Sequence, residues 1–258
     1  MHSEPRGTRR TGARAAAIGL VSLVVSLGLS FPRSAPADES VMACGAYPNH
    51  VFTPSSAYGM TTIDTCPGGA IALDALGASY KQGQGAIWQA AAPGGLIIVG
   101  AGVPNGSLSS DYVNAGQQGQ YGGDFYWSGG SSNITPGERG ALVGPFTSSY
   151  FGILLVCVRS TCKVSAGNGD IYVTQITLAV HETVAPSLSA PDGLWQANGW
   201  VRGTWTLHFS GDSPSGLCGL VADVGGHALP GSSSSEDPST WHQCRAGPVN
   251  DTVVTQGY

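Results

Sequence analysis

Lysine is nearly absent from this chain. In 258 residues it occurs only at Lys81 and Lys163, and every other basic residue is arginine. Charge of either sign is sparse, with 11 basic and 16 acidic side chains. Nucleic acid and anionic membrane surfaces are held by cationic patches, so this composition argues against both as partners. Metal-ligand spacing is also missing. The six cysteines form no C-x-x-C unit, and none of His2, His50, His181, His208, His227 and His242 is paired at zinc-site spacing. Helical periodicity is almost absent, which excludes bundles and α/β folds. Beyond the first thirty residues no apolar run is long enough to span a bilayer.

What the N-terminus does have is a basic head, Arg6, Arg9, Arg10 and Arg14, followed by an apolar or small run from Ala15 to Leu29. Pro32 ends the run, and Ala35-Pro36-Ala37 offers a small-x-small cleavage site. This is the pattern of a secretory signal peptide over residues 1–37. The run falls short of the roughly 20 residues a retained anchor helix requires. Five of the basic residues and one acid lie within 1–37, so residues 38–258 carry 6 basic and 15 acidic side chains, a net charge of −9. The expected location is extracellular, with no membrane attachment after cleavage.

An even number of cysteines in an exported chain implies disulfides. Fifteen pairings are possible, and locality favours Cys44–Cys66, Cys157–Cys162 and Cys218–Cys244. "CVRSTC" (157–162) is expected to be strand, tight turn, strand.

The rest of the chain is a series of short β-branched and aromatic runs, punctuated by glycine, proline, serine and asparagine. Strands are expected at 70–76, 85–92, 95–103, 109–116, 124–129, 150–158 and 170–180. This predicts an all-β fold with a jelly-roll-like β-sandwich over residues 38–182. "LIIV" and "GILLVCV" lack strict alternation, so they are expected to be central strands covered on both faces. After the proline-punctuated stretch "HETVAPSLSAPDG" (181–193), a new period-two pattern begins. Val201, Gly203, Trp205, Leu207 and Phe209 alternate with Arg202, Thr204, Thr206 and His208. "GLCGLVADV" is expected as the next strand, "VADVGGHAL" as a hairpin through Gly225-Gly226, and "DTVVTQ" as another strand. A second β-domain is therefore expected to start near Thr183.

"TVAPSLSAPDGLWQANGWVRGTWTLHFSGDSPSGLCGLVADVGGHAL" resembles the immunoglobulin-like modules of secreted bacterial proteins. The segments "ACGAYPNHVFTP", "GAIWQAAAPGGLIIV" and "FYWSGG" resemble the lectin-like (concanavalin A-like, jelly-roll) sandwich found upstream of such modules in exported actinobacterial proteins. The resemblance implies architecture and an extracellular address, and no activity. An immunoglobulin-like sandwich needs about 100 residues and seven strands. Residues 183–258 supply fewer, so this second sandwich is expected to be incomplete at its C-terminal end.

Catalytic signals are weak. "GDSPSG" (211–216) is similar to nucleophile blocks of serine hydrolases, but Pro214 stands where an oxyanion-hole glycine belongs and no histidine segment of the right kind precedes it. A polar turn whose Asp and Ser bond their own backbone is the better account. Asp111, Asp124, Glu138 and Asp170 are available as a carboxylate pair for a glycoside hydrolase, as in any acidic sandwich. "AGNGDIY" (166–172) is oxygen-rich but lacks the further acids of a calcium loop. No catalytic residue, metal or cofactor is therefore assigned.

The most informative cluster is "QGQYGGDFYWSGG" (118–130). Aromatic side chains meet the C–H faces of sugars, while acids and amides bond their hydroxyls. Tyr121, Asp124, Tyr126 and Trp127 are the candidate ligand-binding residues, with Tyr121 and Tyr126 the best surface candidates. Simple alternation would instead send Phe125 and Trp127 to the core. The expected role is a secreted, non-catalytic binding protein whose partner is a polysaccharide or cell-wall glycan. The alternatives are a structural or adhesive protein and a jelly-roll glycoside hydrolase.

Overall fold

The short β-branched runs fold as antiparallel strands throughout the sandwich. The computed structural model describes residues 38–55, 60–76, 79–111, 120–135, 137–163, 169–197, 201–224, 227–228 and 231–255. The expected signal peptide, the Gly225-Gly226 turn, Gln118 and the first part of the calcium-like loop lie outside these residues.

A five-stranded sheet has the spatial order Gly130–Ile134, Tyr121–Trp127, Tyr150–Cys157, Gly85–Ala91, Phe52–Ser55. A four-stranded sheet runs Asp38–Cys44, Gln175–Glu182, Leu96–Val103, Ala141–Val143. Another runs Thr61–Asp64, Ile71–Asp74, Asp170–Val173, Leu108–Asp111. Their buried faces meet in one apolar cluster that includes Trp88, Ile98, Phe125, Phe151, Ile153 and Leu178. The fold is an all-β sandwich. Burial of each large side chain contributes roughly 1.5–3 kcal/mol, so this cluster dominates stability. Trp88 is held there by its indole N–H, which donates to the Ala72 carbonyl at 2.8 Å.

Three expectations for the sandwich need correction. The run 170–180 is not one strand. It breaks at Thr174, where the chain leaves one four-stranded sheet and joins the other. Tyr150–Cys157 and Leu96–Val103 are central in their sheets, but Leu154 and Val156, like Ile97 and Val99, are only half-buried. One face of each strand is core and the other lies near the surface. Thr161–Lys163 does not turn back onto Tyr150–Cys157 but pairs with Ser79–Lys81. The Cys157–Cys162 disulfide is formed, as are Cys44–Cys66 and Cys218–Cys244.

In the C-terminal segment, Gly203–Asp212 lies between Ser187–Gly193 and Val249–Thr255. Leu207 and Phe209 are buried while Thr206 and His208 are exposed, following the period-two pattern. These two buried residues join Leu220, Ala222 and Val249 in a second, smaller apolar cluster. "GLCGLVADV" does not form one strand. It is cut into two-residue ladders, Gly216–Leu217, Gly219–Leu220 and Asp223–Val224. The φ of 95° at Gly216 interrupts extended backbone. Asp223–Val224 pairs with His227–Ala228, across the expected hairpin position.

The segment packs on the sandwich at the open edge of strand Asp38–Cys44. Met42 N–H donates to the Pro238 carbonyl at 2.7 Å, and Gln243 Nε2 donates to the Ser40 carbonyl at 2.8 Å. Trp241 packs against the sandwich cluster. An uncovered strand edge is a template for unwanted pairing, and these contacts cover it.

Candidate binding face

Strand Tyr121–Trp127 owes its two faces to alternation. Tyr121, Gly123 and Phe125 are buried, whereas Gly122, Asp124 and Tyr126 are half-buried on the other side. The surface position expected for Tyr121 is not observed, and the residue lies in the core at 4% exposure. Its parity with Phe125 sends it inward. Its hydroxyl has no hydrogen-bond partner among the described residues, and burial, then the neighbouring Tyr80, pushes its pKa up.

Trp127 lies at the rim of the same core. Its indole stacks on Phe146 at 4.8 Å, Phe146 stacks on Phe151 at 5.9 Å, and Phe151 stacks on Phe125 at 5.8 Å. The tryptophan closes a column of aromatic rings, so it is committed to packing.

Asp124 and Tyr126 lie on the outer face of the five-stranded sheet. Antiparallel register brings Gly152 and Ser131 opposite Tyr126, and Leu154 and Asn133 opposite Asp124. One strand further, Gln89 faces Gly152 and Ile87 faces Leu154. The ring of Tyr126 lies over Gly152, where any Cβ would collide with it. Its hydroxyl crosses that strand and donates to Gln89 Oε1 at 3.2 Å. Tyr150 contributes a second ring, 5.9 Å from Tyr126 and tilted by 48°. At the far edge Thr53 Oγ1 donates to the Gln89 carbonyl at 3.1 Å.

Asp124 is the one acid among the strand residues of this face, which carry no base. Burial pushes its carboxyl above the ordinary aspartate range. Of the other acids considered for hydrolysis, Glu138 accepts from the Thr135 N–H at 2.8 Å and its hydroxyl at 3.1 Å, which closes a turn. Asp170 and Asp111 oppose each other in a different sheet. None of these three is placed across the face from Asp124. Among the described residues, no group of three or more His, Cys, Asp or Glu side chains is arranged to hold a metal ion.

Gln89, Tyr150 and Gly152 complete the face without having stood out in the sequence. Gln89 follows the core residue Trp88, so alternation points it outward. Tyr150 opens a run that looks buried throughout, and only the observed register shows Tyr150, Gly152, Leu154 and Val156 sharing the outer face.

The "GDSPSG" turn is polar, but its serines do not bond their own backbone through their side chains. Ser213 Oγ donates to Glu182 Oε1 at 2.6 Å, and the Ser215 N–H donates to the same oxygen at 3.0 Å. Ser213 is 3% exposed. A serine so enclosed and so bonded is a structural anchor.

No family model, curated protein or solved structure matches this chain.

Proposed function

We propose that this is a secreted, non-catalytic protein that binds polysaccharide or cell-wall glycan on the outer face of its five-stranded sheet. The observation that carries this reading is the Tyr126 ring, laid over Gly152 and fixed through its hydroxyl to Gln89. A half-exposed ring lying on a sheet is a platform for a sugar C–H face. Tyr150 extends the platform, Ile87 and Leu154 supply apolar floor, and Asp124, Asn133 and Gln89 supply acceptors and donors for hydroxyls.

Asp124 favours the same reading. A half-buried carboxylate on a face whose described strand residues include no base gains when a ligand brings hydroxyl donors. A single acid among the described strand residues of this face does not make the pair that glycoside hydrolysis uses, so binding without chemistry fits better. The N-terminal signal pattern and the three disulfides support export, as does the resemblance to exported lectin-like sandwiches. No helix among the described residues is long and apolar enough to cross a membrane.

Titration with soluble oligosaccharides tests the proposal. The ring signals of Tyr126 and Tyr150 should shift in NMR spectra, and those of buried Tyr121 should not. Saturating ligand that moves Tyr121 but neither Tyr126 nor Tyr150 contradicts this placement.

A further inference from the structure

We propose that Glu39, Ser215 and Glu182 form a chain of hydrogen bonds with a single ionised carboxylate, a pH-sensitive latch that fastens the C-terminal segment to the sandwich. Glu39 lies on the edge strand Asp38–Cys44, and Glu182 ends the neighbouring strand Gln175–Glu182. Ser215 comes from the "GDSPSG" turn of the C-terminal segment. Its Oγ lies 2.8 Å from Glu39 Oε1 and also contacts Glu182 Oε1.

A hydroxyl carries one proton to donate. Glu182 Oε1 collects the Ser213 hydroxyl, the Ser215 N–H and the Ser215 hydroxyl, which is the environment of an ionised carboxylate. The Ser215 proton is thereby used, and the oxygen has only acceptor capacity left for Glu39. Their contact is a hydrogen bond only when Glu39 carries a proton and donates it. The chain of donors then runs from Glu39 through Ser215 to the Glu182 anion.

The charged surroundings agree. Glu236, from the C-terminal segment, adds negative charge near Glu39, while His181 is the neighbour that favours Glu182 as an anion. Glu39 Oε2 is buried without a partner among the described residues, a position an uncharged carboxyl tolerates better than a carboxylate. Burial chiefly, together with Glu182 and Glu236 and against the Ser215 hydrogen bond, holds the Glu39 pKa above the ordinary glutamate range. Burial also opposes ionisation of Glu182, but the hydrogen bonds from Ser213 and Ser215, with His181, outweigh it and hold its pKa below that range.

The two shifts act on opposite limbs of the pH profile. Glu39, raised, contributes stability below the ordinary glutamate range and loses it as pH climbs through its folded value. Glu182, lowered, contributes stability above that range and loses it as pH falls through its folded value. The latch is tightest between the two. When Glu39 releases its proton to solvent, two carboxylates face one hydroxyl and the attachment weakens. The adjoining contact from Met42 N–H to Pro238 should then open more often.

Hydrogen exchange at the Met42 amide in the full chain, corrected for the intrinsic rate, reads that opening directly. Between about pH 5 and about pH 8, exchange should accelerate at least about tenfold in the wild type and less than about twofold in E39Q, whose neutral amide mimics the protonated acid. S215A should expose Met42 across the range, while amides of the central strand Tyr150–Cys157 stay protected in all three proteins. A wild-type Met42 amide indifferent to pH, or an E39Q profile that follows the wild type, overturns the proposal. The second result would place the pH dependence outside Glu39.

Discussion

Tyr126 and Gly152 oppose each other on neighbouring antiparallel strands, and the phenol ring fills the space that a side chain at 152 would need. The lie of the ring therefore depends on a missing methyl group. Gly152→Ala should lift the ring from the sheet and break its bond to Gln89. Loss of one aromatic contact of about 1–1.5 kcal/mol corresponds to roughly tenfold weaker glycan binding. Circular dichroism should show the sheet intact, because φ at 152 is not in the left-handed region. A Gly152→Ala variant that binds like the wild type would break the link between this geometry and function.

Asp124 should be a residue whose removal helps the fold and harms binding. Its pKa is raised by burial. Its ionisation therefore costs stability as pH rises through the folded value, and none below the ordinary aspartate range. Asp124→Asn should raise the melting temperature near neutral pH by on the order of 1 °C, since the half-exposed site is screened. Glycan affinity should fall several-fold or more, because a hydrogen bond to a charged acceptor is worth about 1.5–3 kcal/mol. A melting profile that drops at neutral pH with binding unchanged would reverse both assignments.

Trp127 should behave in the opposite way. Its contacts are Phe146 and the core behind it. Trp127→Ala should cost about 3 kcal/mol of stability, read by denaturant midpoint. The fraction that remains folded should bind glycan within about twofold of the wild type. A clean loss of binding at unchanged stability would return Trp127 to the binding face.

The alternation in 203–209 predicts the burial of Leu207 and Phe209, because a half-buried strand writes its parity directly into sequence. The disulfides follow locality. A strand expected only from Asp124 leaves Tyr121 outside the alternation; the strand begins three residues earlier, at Tyr121 itself, and parity with Phe125 then sends it inward. Tyr150, Gly152 and Gln89 do not stand out because cross-strand register is a relation between distant segments. The attachment of Ser213 and Ser215 to Glu182 spans more than thirty residues and has no local signature. A glutamate followed by prolines resembles a linker until its partner is seen.

Charge offers a test of ligand class. The strand residues of the face carry one acid and no base, and residues 38–258 have a net charge of −9. Retention on a neutral polysaccharide should therefore change little up to about 0.5 M salt, where exposed ion pairs are largely screened. Uronic-acid-rich polysaccharides should be retained less at low salt. Salt-sensitive binding to an anionic matrix would point to a different surface.

The central claim is that the outer face of the five-stranded sheet holds glycan. It is tested most directly by retention of the full chain on a panel of insoluble polysaccharides and bacterial cell walls, beside a Tyr126→Ala, Tyr150→Ala double variant shown by circular dichroism to be folded. The account predicts that the wild type is retained on at least one matrix and the double variant passes through. Equal retention of the two proteins, or retention of neither on any matrix, contradicts it.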